Sequence, residues 1–223
     1  MEPNRTLTHE RLKTPRAAAV AGIVFSVLYI ISLVLTRTAV PADPLDAGIW
    51  LAGDLKSVTL AIYMFPFAGI AFLWFIGVLR DRMGAQEDRF FATVFLGSGL
   101  LFLAMLFAAG AIAAGIIMGY GAVSDRLVES GIYAFGRAAV YQLMNVYALK
   151  MSAVFMISTS TVAIRTRIFP RWMAILGYVL ALLMLLSTGY VFFWAPLVFP
   201  LWVLMVSVNI LFSNLRSVPA SGS

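Results

Sequence analysis

Residues 90–118, FFATVFLGSGLLFLAMLFAAGAIAAGIIM, hold no charged side chain. Roughly 20 helical residues cross a hydrocarbon core of about 30 Å, so this run is more than long enough for one crossing. Lipid offers no partner to backbone N–H and C=O groups, so the run must hydrogen-bond within itself as a helix. Working outward, further apolar stretches lie at 17–36, 57–79, 143–164, 172–190 and 195–213. Together they predict an all-α membrane protein, a bundle of six transmembrane helices over 17–213. A basic tail, 1–16, precedes it and a short tail, 214–223, follows. The fifth and sixth stretches should divide near Gly189, Trp194, Pro196 and Pro200, and a mere kink there would change the count.

Composition agrees. Hydrophobic residues make up 62% of the chain and charged residues 12%, against about half and about a quarter in an average soluble domain. Mean hydropathy is +0.95. With no cysteine, the chain has no disulfide, thiolate metal site or thiol nucleophile. The one histidine, His9, sits in the N-terminal tail. Ala17–Thr36 is too long for the apolar region of a secretory signal and is expected to stay as the first span.

Charge placement sets the expected orientation. Eleven lysines and arginines fall in segments on the side of the N-terminus, from Arg5 to Arg216, while Arg37, Lys56, Arg126 and Arg137 fall on the other side. By the positive-inside rule, both termini are expected in the cytoplasm. The formal charge of +6 therefore points to membrane orientation, and no nucleic-acid partner is expected. Two outer segments, 37–56 and 119–138, are long enough to be interfacial helices or lids. Ser124-Asp125-Arg126-Leu127 offers a helix start in the second, and Trp50 an interfacial anchor in the first.

The strings FLWFIGVLRDRMG (72–84), FPRWMAILGYVLALLMLL (169–186) and PLVFPLWVLMVSVNILF (196–212) resemble a set of uncharacterised bacterial six-span integral membrane proteins. The resemblance covers about 60–213. It implies a bacterial plasma membrane and six spans, and brings no activity or site residues.

No predicted span contains Asp, Glu, His or Cys. Intramembrane carboxylate or histidine relays, zinc hydrolysis and histidine-ligated haem all need those residues. The eleven methionines read as gap fillers. The expectation is a protein without catalytic residues, metal or cofactor. Asp43 and Asp46 are too few oxygens for a calcium-type site, and Asp81, Glu87 and Asp88 sit in a loop with Arg80, Arg82 and Arg89.

Lys150 is the only charge inside a predicted span, and an intramembrane lysine is a functional candidate by default. Fifteen residues separate it from Arg165, about 22 Å at 1.5 Å each, which leaves it roughly 8 Å below the opposite surface of the core. It either snorkels to that surface or serves as a pocket cation. Asn145 and Gln142 join it as candidate ligand-binding groups, with Tyr141 and Tyr147 at the rim. Ser158-Thr159-Ser160-Thr161 is expected to back-bond within its helix, and Asn209 to bond across helices. Ala111, Gly115 and Gly119 mark a close-packing face, and Pro66 a kink. Two functions fit this inventory. The first is a lipid- or ligand-binding or regulatory subunit, with membrane lipid, a second copy or another membrane protein as partner. The second is a channel or permease for a small or amphipathic solute, anions included.

Overall fold

The computed structural model describes residues 14–43, 46, 48–53, 55–83, 89–187 and 193–216. All regular structure among them is helical: α1 (Thr14–Ala39), α2 (Leu55–Met83), α3 (Arg89–Glu129), α4 (Gly131–Gln142), α5 (Leu149–Thr166), α6 (Arg171–Leu186) and α7 (Val198–Arg216). A π-helical segment, Leu143–Ala148, joins α4 to α5. Short 3₁₀ turns occupy Ile49–Ala52 and Ala195–Leu197. Among the described residues, five stretches are long and apolar enough to cross a membrane: Ala17–Ala39, Leu55–Arg80, Ala92–Ala122, Gly131–Thr166 and Ala195–Ser213. The sixth apolar helix, α6, has only 16 residues, about 24 Å of rise.

The side chains sort as a bilayer demands. On α1, Val20, Val24, Val27, Ile31 and Val34 form one exposed stripe, while Phe25, Ser26, Tyr29, Ser32 and Leu33 are buried. Tyr63, Phe67, Ile70 and Trp74 make a similar outward stripe on α2. Continuous apolar exteriors of this kind are foreign to soluble monomers but are at home in lipid. Because lipid removes most of the hydrophobic drive between helices, association rests on close packing. α1 packs on α2 and α7, α5 on α6, and α3 on α2, α4 and α5. A Cβ built on Gly22 of α1 would overlap Ser207 Oγ of α7, and one on Gly177 of α6 would overlap Ser160 Oγ of α5. These two glycines let their helices touch.

The centre is aromatic. Phe25, Phe72, Phe102, Phe155 and Phe199, from α1, α2, α3, α5 and α7, are at most 2% exposed. Neighbouring ring centroids lie 4.6 Å apart for Phe25–Phe72, 5.3 Å for Phe72–Phe102 and 4.9 Å for Phe102–Phe199. Such pairs add roughly 0.5–1.5 kcal/mol each beyond buried area.

Several expectations need correction. Segment 119–138 is helical, but as parts of two longer helices and not as a separate interfacial one: α3 runs to Glu129 and α4 begins at Gly131. Ser124–Leu127 therefore lies within α3, and the helix start is at Ser130. Leaving the apolar run does not end a helix whose backbone bonds are already made internally. The fourth stretch likewise extends beyond 143–164, reaching from Gly131 to Thr166. The fifth ends at Leu186, and Gly189 lies outside the described residues. α2 continues through Pro66, as a proline-kinked helix also does. Gly115 faces open space with nothing within 4 Å of a built Cβ, so the Ala111–Gly115–Gly119 face is not a seam within the monomer. Ser158, Thr159 and Thr161 do bond the carbonyls four residues back, at 3.0, 2.7 and 2.9 Å, whereas Ser160 Oγ is buried with no partner among the described residues. Asn209 Oδ1 is buried and finds no partner among the described residues. Asp54, Glu87 and Asp88 lie outside the described residues.

Candidate ligand-binding cavity

A partly enclosed cavity of about 100 Å³ opens where the C-terminal end of α1 meets α2, α3, α4 and the π-helical segment. Most of its wall is aliphatic, including Leu33, Val58, Ile62, Ala113, Ile116 and Val140. Its polar groups are few: Thr36, Arg37, Arg137, Tyr141, Asn145 and Trp50. Phe65 forms part of the wall and meets Tyr29 at a ring distance of 6.2 Å, so the aromatic core begins where the cavity stops.

Each guanidinium is held by neutral oxygens. Arg37, in the last turn of α1, donates through Nη2 to Asn145 Oδ1, and its guanidinium carbon lies 4.1 Å from the centre of the Phe193 ring. A cation there also complements the partial negative charge of a helix C-terminus. Arg137 is 8% exposed. Its Nη2 donates to the carbonyls of Pro41 and Asp43, both at 2.9 Å, which ties the 40s segment over α4. Its Nε is buried and unpaired.

Asn145 is placed by the π-helical turn. In an α-helix the Tyr141 carbonyl would pair with the backbone N–H of Asn145. In the wider turn the side-chain Nδ2 of Asn145 donates to that carbonyl at 3.0 Å, leaving Oδ1 for Arg37. Single π turns inside α-helices often coincide with functional sites. The rim is built separately. Trp50 Nε1 donates to Tyr133 Oη at 2.9 Å, and Leu51 packs with Ile116 and Tyr133. Gly48, at φ 80°, makes the turn that brings this segment in: a Cβ there would meet the Tyr133 ring at 3.0 Å.

Of the residues singled out in the sequence, Asn145 and Tyr141 line this cavity. Gln142 is exposed on α4, and Tyr147 is 57% exposed on the outer surface. Lys150 is elsewhere: Nζ donates to the carbonyls of Met184, Leu185 and Ser187 at 3.0, 2.5 and 2.6 Å. It thus caps the C-terminus of α6, whose last carbonyls have no partner within their own helix. It does not line the cavity.

Sequence reasoning missed Arg37 and Arg137, which it counted only as loop charges. A signal was present. Arg137, Tyr141 and Asn145 recur every four residues, so they share a helix face, and Arg137 is embedded in the apolar IYAFGRAAVY. Comparison with family models, curated proteins and solved structures finds no match to this chain.

Proposed function

We propose that this chain is a non-enzymatic, six-span protein of a bacterial plasma membrane that binds a small lipid-like ligand in the Arg37–Arg137 cavity. Both termini are cytoplasmic in this reading, and the cavity opens at the outer side. One observation carries it: a largely aliphatic cavity with only a few polar groups in its wall, two of them guanidiniums, the composition that ligand sites usually have. The bacterial membrane rests on the resemblance of 72–84, 169–186 and 196–212, and the orientation on the arginine and lysine distribution.

The alternative is a channel or permease. It requires a polar path through the bundle, and the buried rings of Phe25, Phe72, Phe102 and Phe199 fill the region beyond the cavity. They weigh against that reading.

Thermal unfolding in phosphatidylcholine nanodiscs, with decanol and decanoate as probes, tests the binding role. At least one should raise the midpoint saturably, and Ala113→Leu, which narrows the cavity, should reduce the response. No response to either would reject it. Reporter fusions at positions 85 and 223 should read cytoplasmic, and fusions at 45 and 128 external. A cytoplasmic signal at 128 would reject the six-span orientation.

A further inference from the structure

We infer that the cavity is built for an oxyanion, a carboxylate or phosphate carried on a short apolar tail, with its head held between Arg37 and Arg137. The inference rests on the cavity being a binding site and adds the chemistry of its ligand.

Two guanidiniums line one small, mainly aliphatic space. Each carries five N–H donors and no acceptor. Arg37 makes one hydrogen bond, from Nη2, and Arg137 makes two, both from Nη2. Among the described residues, Nε and Nη1 of Arg37 and Nη1 of Arg137 have no hydrogen-bond partner. Unlike Arg137 Nε, none of the three is sealed from solvent. Both arginines line the cavity, and both keep donors that are not sealed.

Charge points the same way. The acceptors these guanidiniums use, an amide oxygen and two backbone carbonyls, are all neutral. Neither guanidinium contacts a carboxylate among the described residues. Two cations in low-dielectric surroundings without an anion are costly, and a bound oxyanion would offset that cost. The guanidinium fork matches carboxylate and phosphate geometry in particular. A neutral alcohol or sterol head would leave both charges uncompensated.

The rest of the cavity sets the tail. A volume of about 100 Å³ is smaller than the roughly 150 Å³ that accepts benzene, so it takes the head and a few carbons. Asn145 is the tuning group: its oxygen occupies one arginine donor without neutralising it.

The test is thermal unfolding in phosphatidylcholine nanodiscs with four probes: decanoate, decyl phosphate, decanol and inorganic phosphate. Decanoate or decyl phosphate should raise the midpoint by several degrees and saturate, and decanol should not. Arg37→Gln should weaken decanoate binding about tenfold or more, since one tenfold step is the loss of a single modest contact. Should that variant fold poorly, Asn145→Asp places a resident carboxylate on Arg37 and should remove the response while keeping the fold. A response to decyl phosphate alone, matched in phosphatidylglycerol nanodiscs, would identify a lipid headgroup as the source. A response to decanoate alone would identify a free fatty acid. A full response to inorganic phosphate would overturn the tail assignment. If decanol matches decanoate, or if Arg37→Gln and Asn145→Asp both bind decanoate as the wild type does, the oxyanion assignment falls while the cavity remains a binding site. Silence from all four probes removes both.

Discussion

Lys150 Nζ lies 2.6 Å from the carbonyl oxygen of Ser187, the residue that follows α6, and it also reaches the carbonyls of Met184 and Leu185. The three ammonium protons thus meet three oxygens that the helix itself leaves unpaired. An ammonium at a helix C-terminus is favourable for the dipole as well. With 16 residues, α6 spans about 24 Å of rise, less than a full crossing. Lys150→Met should therefore destabilise the protein, by about 2 kcal/mol if one charge-assisted bond is a guide. Lys150→Arg should recover part of the loss. Thermal unfolding without added ligand measures it, and a Lys150→Met protein as stable as wild type would return Lys150 to a snorkelling role.

The membrane class and helical fold were legible in the sequence because uncharged runs such as 90–118 admit only one backbone solution in lipid. The ends of those helices were not. Nothing before Ser130 stops α3, because a helix entering water keeps its internal bonds. The site was half legible. Tyr141 and Asn145 stood out as polar groups in an apolar run, but the partner of Asn145 is Arg37 on a distant helix, and that pairing depends on tertiary packing. Lys150 was conspicuous for the right reason, its cost in lipid, and its partner was backbone from a distant helix, which no side-chain inventory reveals.

Gly22 and Gly115 should behave in opposite ways. A Cβ on Gly22 overlaps Ser207 Oγ and lies 2.8 Å from Phe75 Cδ2, whereas Gly115 faces open space. Gly22→Ala should cost about 1–3 kcal/mol by overpacking, and Gly115→Ala close to nothing. Ser207→Ala combined with Gly22→Ala should be less damaging than the sum of the two, a coupling read by a double-mutant cycle. Strict additivity would mean that α1 and α7 do not meet at this pair.

The 40s segment should be held by Tyr133. Gly48 has a positive φ that side chains resist, and its Cα faces the Tyr133 ring. Gly48→Val should release the segment, and Tyr133→Phe should release it more weakly by removing the bond from Trp50. Limited proteolysis from the outer side of proteoliposomes should cut both variants faster than wild type between 40 and 54. Unchanged cleavage of Gly48→Val would show that the rim is fixed by other contacts.

The most direct measurement uses Trp50, which lines the cavity. Bromine on an acyl chain quenches a tryptophan only at short range, so brominated decanoate reports occupancy at this position. The quenching that disappears in Trp50→Phe should be saturable, should be displaced by plain decanoate, and should be absent with brominated decanol. Arg37→Gln should shift its midpoint to about tenfold higher probe or more, the same single-contact step as above. Equal quenching of Trp50 by the acid and the alcohol, unchanged in Arg37→Gln, would contradict an anion held between Arg37 and Arg137.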